Sequence, residues 1–167
     1  MAIKVGDRLP DGRLTECVEF DAQSCPVNPT DLKVGDLVKG KKLVIFGLPG
    51  AFTPTCSAKH VPSYLENFDT LKKKGVDEIW CISVNDAFVM ASWMRDQKAQ
   101  GKVRMLADGN GEYTKKLGLE LDLTPRNMGV RSARYSMLVE DGVVKKLNLE
   151  NPGKFEVSGA ETMLGQL

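Results

Sequence analysis

Residues 41–60 read KKLVIFGLPGAFTPTCSAKH. Lys41–Leu48 is a short, continuous apolar run rich in branched and aromatic residues, as expected of a strand buried on both faces. Pro49-Gly50 stops it. Val61, Tyr64, Leu65, Phe68 and Leu71 then recur at helical spacing. Gly75 closes that helix behind Lys72-Lys73-Lys74, whose charges suit a helix C-terminus. A buried strand leading into a helix is the unit from which α/β sheets are built.

The chain downstream repeats the unit. Glu78–Val84 (EIWCISV) reads as a second buried strand, and Asn85-Asp86 can cap a helix carrying Val89, Met90, Trp93 and Met94. Val103–Ala107 is a third strand, and Glu112–Leu117 a short helix before Gly118. Ala133–Glu140 and Val143–Leu149 flank Asp141-Gly142, a two-residue hairpin signal. A last helix is expected after Ser158. Upstream, Arg13–Phe20 suits an edge strand or hairpin arm. The polar stretch Asp21–Gly40 reads as turns with one short element. The order predicts an α/β fold with a central mixed β-sheet flanked by helices and extra N-terminal strands. A thioredoxin-like fold fits it better than a flavodoxin-like sheet, because the chain closes on a hairpin. No repeat or linker divides residues 1–167, which read as a single domain.

At 167 residues the chain can bury roughly 70% of its unfolded surface. Its 23 Lys+Arg and 22 Asp+Glu leave a net charge of +1, so no basic field favours nucleic acid. No apolar run approaches a membrane span. The N-terminus has neither a signal-peptide core nor a transit-type composition, so a cytoplasmic location is expected. The four cysteines, Cys17, Cys25, Cys56 and Cys81, form no CxxC pair. A thioredoxin-type dithiol, a structural zinc site and a disulfide scaffold are all disfavoured.

Cys56 is placed for chemistry. Thr53-Pro54 reads as a helix N-cap followed by an N1 proline, which puts Cys56 at N3 in the first turn. The first-turn N–H groups lack intrahelical partners and the dipole end is positive, so a thiolate is favoured there. Pro62 should disturb the helix one turn on. By position alone, Cys56 could equally be a small buried residue at a helix start.

Pro49-x-x-x-Thr53-x-x-Cys56 resembles the peroxiredoxin active-site pattern, and residues 47–62 as a whole resemble the type II, or peroxiredoxin-5-like, subfamily. The likeness continues through residues 75–79, 83–90, 107–114, 117–122 and Gly129-Val130-Arg131-Ser132-x-Arg134-Tyr135; it is weak over residues 21–39. It implies a thiol peroxidase on a thioredoxin-like fold, working without metal, flavin or haem. Cys56 would be the peroxidatic cysteine, attacking hydrogen peroxide or an alkyl hydroperoxide and becoming a sulfenic acid. Thr53 would hydrogen-bond thiolate and peroxide, Pro49 would shield the site from water, and the Thr55 and Cys56 N–H groups would act as oxyanion-type donors. Arg131 matches the family's active-site arginine. Arg134 is either a support for it or a solvated side chain.

Plant-type members carry a second cysteine at the spacing of Cys81, proposed as resolving. A mid-strand cysteine is also a common core residue, and a bond to Cys56 would need local unfolding. The alternative is a one-cysteine cycle in which glutathione, glutaredoxin or thioredoxin reduces the sulfenic acid directly. Cys17 and Cys25 carry no recognisable role, Cys25 being the more exposed by its position beside Pro26. His60, the one histidine, lies a turn beyond Cys56; it reads as a support near the site rather than a base or metal ligand. The resemblance also implies a homodimer, with Phe52 a candidate contact. A thiol–disulfide oxidoreductase, and a redox sensor or chaperone-like binding protein switched by Cys56 oxidation, are the competing readings. Asp108–Tyr113 fails the calcium-loop pattern at Tyr113.

Overall fold

The computed structural model describes residues 1–167. Strands β1 (Arg13–Glu16), β2 (Glu19–Phe20), β3 (Pro26–Val27) and β4 (Thr30–Lys33) lead into a one-turn helix α1 (Val34–Leu37). Strand β5 (Lys42–Leu48) is followed by a π turn (Cys56–His60) and helices α2 (Val61–Glu66) and α3 (Phe68–Lys73). Next come β6 (Glu78–Ser83), α4 (Ala87–Asp96), β7 (Val103–Ala107), α5 (Glu112–Leu117), β8 (Glu120–Asp122) and β9 (Val130–Ser132). The hairpin β10 (Tyr135–Glu140) and β11 (Val143–Leu149) and helix α6 (Ala160–Leu164) close the chain.

Seven strands form one sheet in the order β11-β10-β5-β6-β7-β1-β4. The central β5, β6 and β7 run parallel, and β10, β11, β1 and β4 pair antiparallel outside them. Strand period two sorts the core into two layers. Val44, Phe46, Leu48, Ile79 and Cys81 pack against α2, α3, α4 and α6 on one face. Leu43, Ile45, Trp80 and Ile82 pack against α1, α5 and the N-terminal Ile3 and Leu9 on the other. The expected mixed sheet with helices on both faces is the observed architecture. No helix is long and apolar enough to cross a membrane.

Local chemistry explains most boundaries. Asp141 and Gly142 both have positive φ, 46° and 80°, the turn whose twist matches a tight hairpin. Asp86 caps α4 by accepting from the Val89 N–H at 2.8 Å. The helix expected across 61–71 is broken at Asn67, whose backbone leaves helical geometry and whose side chain donates to the Ser63 carbonyl at 2.8 Å. β10 begins at Tyr135 rather than Ala133, because the Ala133 N–H turns aside to the Leu119 carbonyl at 2.7 Å. Residues 21–40 hold three short elements rather than one. The β8–β9 ribbon had no counterpart in the sequence reading; its three-residue strands are too short to show alternation.

Candidate active site

The helix after β5 starts at Pro54, as the Thr53-Pro54 pair predicts, and Cys56 is its third residue. The disturbance expected from Pro62 takes the form of the π turn, in which the Val61 N–H reaches the Cys56 carbonyl. Pro62 has no N–H and its ring crowds the carbonyl four residues back, so a wider turn relieves both. Cys56 is fully buried. The N–H groups of Thr55 and Cys56 donate to no other protein group, as first-turn donors do.

The loop before the helix is pinned from below. The Ala51 N–H and the Ser83 hydroxyl both donate to Asn85 Oδ1, at 3.0 and 2.6 Å. Trp93 Nε1 donates to Ser57 Oγ at 3.0 Å. Phe52 holds a left-handed φ of 63° and is 53% exposed. Thr53 donates its single hydroxyl proton to the Gly50 carbonyl at 2.7 Å, not to the thiol, which leaves its lone pairs to accept.

The two arginines stand in the reverse of their expected places. Arg134, at the entry to β10, directs Nη2 onto Cys56 Sγ at 3.2 Å. Arg131 makes no hydrogen bond to the thiol: its Nε donates to the Met128 carbonyl at 2.9 Å and its Nη1 to the Pro49 carbonyl at 3.2 Å. The reason is register. Arg131 is held opposite Leu121 in the β8–β9 ribbon, while Arg134 emerges beyond it beside the sheet. Arg131 therefore braces the Pro49 corner, and Arg134 is the cation at sulfur.

His60 lies directly behind Arg134. Its Nδ1 is 2.9 Å from Arg134 Nη1, and its Nε2 is 3.1 Å from the Ser158 carbonyl. The same carbonyl accepts from the Tyr64 hydroxyl at 2.8 Å. The sequence reading missed Glu150, which adjoins the site beside Arg134, and Phe155 and Ser158, which stand behind it; nothing in their local pattern marks them.

Cys81 sits mid-strand in β6, fully buried, in the same core layer as Cys56. Burial pushes its thiol well above the ordinary value, charge on Cys56 would add to this, and Arg134 opposes it. All four thiols are free. Cys17 is buried, its thiol directed at the Val27 carbonyl at 3.2 Å, and Cys25 is exposed beside β3.

Beside the buried Cys56 opens a cleft of about 550 Å³, lined by its neighbours Pro49, Thr53, Thr55 and Arg134, by apolar Leu121, Leu123 and Met128, and by Arg126 and Glu150. A buried thiol, a guanidinium and two free N–H donors thus lie beside a partly apolar cleft. That set can stabilise a thiolate and the negative oxygen that leaves when it attacks.

The Redoxin family model matches residues 4–164. Peroxiredoxin-2E, chloroplastic, from Arabidopsis thaliana is 51% identical over 99% of this chain and 70% of its own length. Peroxiredoxin-2B from the same organism is 48% identical over 99% and 98%. The crystal structure of reduced Prx3 from Vibrio vulnificus in complex with hydrogen peroxide superposes with a TM-score of 0.88 at 46% identity, covering 98% of both chains. Sequence and fold agree that the chain belongs to the peroxiredoxins, thiol-dependent peroxidases built on the thioredoxin-like fold.

Proposed function

We propose that Cys56 is the peroxidatic cysteine and that hydrogen peroxide and alkyl hydroperoxides are its substrates. The observation that carries this reading is the buried thiol at a helix start with Arg134 Nη2 3.2 Å from its sulfur. The Cys56 thiolate attacks the terminal peroxide oxygen. The S–O bond forms as the O–O bond breaks, sulfur is oxidised to the sulfenic acid, and the departing alkoxide or hydroxide takes a proton from solvent. Arg134 and the free Thr55 and Cys56 N–H groups stabilise the charge on sulfur and oxygen. Thr53 accepts from the peroxide O–H, and Pro49 screens the sulfur. The apolar wall of Leu121, Leu123 and Met128 supports acceptance of alkyl groups.

The sulfenic acid is recycled by thiol. Cys81 condenses with it to a disulfide, expelling water, and glutaredoxin or thioredoxin reduces that bond; glutathione is the alternative direct reductant. Membership of the family supports a homodimer, with the half-exposed Phe52 of the active-site loop a candidate contact. A strictly monomeric sedimentation profile would sink the dimer. The chain acts in the cytoplasm on this reading, and cell fractionation tests that. The central test is single-turnover oxidation by hydrogen peroxide of wild type and Cys56→Ser, with the oxidised peptide identified by mass spectrometry. Fast oxidation must vanish in Cys56→Ser; equal rates would overturn the reading.

A further inference from the structure

We infer that His60 is a positioning residue for the peroxide chemistry: its Nδ1 lone pair holds Arg134 in the orientation that turns Nη2 onto Cys56, and Glu150, through Ser158, fixes that lone pair in place. The inference rests on Cys56 being the reacting thiol.

Both hydrogen-bond roles of His60 are forced by its partners. Arginine only donates, so Nδ1 facing Arg134 Nη1 at 2.9 Å must be the bare nitrogen. A carbonyl only accepts, so Nε2 facing Ser158 at 3.1 Å must carry the proton. The ring is buried, with Phe46 and Phe155 centroids 4.7 and 5.0 Å from it. Burial, with Arg134 adding, pushes His60 down to about 3, so it is neutral throughout the physiological range. The polar or titratable groups around it are Arg134 and Tyr64, with Cys56 beyond the guanidinium.

A neutral holder matters here. Arg134 makes no salt bridge with any carboxylate. A carboxylate in the place of His60 would orient the guanidinium equally well, but it would offset the positive charge that a thiolate needs. The imidazole lone pair supplies direction without taking charge away. Phe155 lies under the guanidinium at 6.0 Å, a further apolar guide.

Glu150 anchors the far end. Its Oε2 accepts from the N–H groups of Glu156, Val157 and Ser158 and from the Ser158 hydroxyl, at 2.8, 2.8, 2.8 and 2.7 Å. Its own N–H donates to the Arg134 carbonyl at 3.0 Å. One residue therefore ties down both the backbone of Arg134 and the segment whose carbonyl selects the His60 tautomer.

The test is the pH profile of Cys56 alkylation by iodoacetamide, read at the Cys56 peptide, together with the rate of its oxidation by hydrogen peroxide. Wild type is compared with His60→Leu, His60→Asn and Glu150→Gln. His60→Leu removes the acceptor: the alkylation midpoint moves to higher pH and neutral-pH oxidation slows roughly tenfold. His60→Asn keeps an oxygen acceptor near the Nδ1 position and restores most of both. Glu150→Gln also moves the midpoint up, although removal of a negative charge by itself would move it down. A His60→Leu midpoint equal to wild type, even with a lowered Tm, overturns the inference, as does His60→Asn behaving like His60→Leu. If His60→Leu does not fold, Glu150→Gln decides: an unchanged or lowered midpoint overturns it. Loss of the assignment of Cys56 itself is a separate outcome, read from Cys56→Ser.

Discussion

Arg134 and Cys56 are 78 residues apart in the chain, yet the guanidinium Nη2 lies 3.2 Å from the thiol sulfur. Two conditions create this meeting. β10 pairs antiparallel with β5, which brings the entry of one strand to the exit of the other. The loop of residues 49–53 then delivers Cys56 to the first turn of the helix that follows. Arg131, three residues earlier, is spent on the carbonyls of Met128 and Pro49.

The two arginines should therefore separate in mutants. If Cys56 is the peroxidatic cysteine as proposed, Arg134→Met removes the donor at its sulfur and should slow peroxide reduction on the order of 10²-fold. Arg131→Met loosens the Pro49 corner and should cost less than about tenfold, since it removes hydrogen bonds to two carbonyls and none to sulfur. Stopped-flow rates with hydrogen peroxide decide. Equal losses in both variants would return Arg131 to the sulfur.

Cys81 faces the same core layer as Cys56, and both are fully buried. A bond between them requires Cα atoms within about 7 Å and an opened π turn. After one equivalent of peroxide, wild type should yield a Cys56–Cys81 linked peptide, while Cys81→Ser should accumulate sulfenic acid at Cys56. Persistent sulfenic acid in wild type, with no linked peptide, would establish a one-cysteine cycle.

Acid should weaken the fold in two windows. Burial pushes Glu78 up, but Lys41, Trp80 and Arg104 donate to it and prevail, holding it down to about 2 from 4.5. A depressed carboxyl contributes stability that is present above 4.5 and lost as pH falls toward 2. His60, neutral in the fold but protonated below about 6.5 when unfolded, withdraws stability as pH falls from there toward about 3. Urea unfolding of Glu78→Gln should show a deficit of about 2 kcal/mol at pH near 6 that closes as the solution approaches pH near 2. A deficit independent of pH would show that the carboxylate's charge is not what matters.

Gly47 and Tyr135 are cross-strand partners, and a Cβ on Gly47 would collide with the tyrosine ring. Gly47→Ala should destabilise by about 1–3 kcal/mol through overpacking, or a fall in Tm of about 2–4 °C per kcal/mol. Tyr135→Phe should be neutral or stabilising, because the buried Tyr135 hydroxyl has no hydrogen-bond partner to lose. Calorimetry measures both; a marked loss for Tyr135→Phe would reveal a partner for that hydroxyl.

What the sequence determined by itself is local. The apolar runs at Lys41–Leu48, Glu78–Val84 and Val103–Ala107, the Asp141-Gly142 turn and the Thr53-Pro54 helix start rest on backbone preference and periodicity, which act over a few residues. They were enough for the sheet, its mixed character and Cys56 at a helix start. Only the tertiary structure decided which arginine meets sulfur, which His60 nitrogen carries the proton and what stands behind them. Those choices join positions 56, 60, 134, 150 and 158. Their meeting depends on strand order and on a short ribbon whose register turns Arg131 aside. A side chain's direction at such distances is set by packing, and nothing in its immediate sequence encodes it.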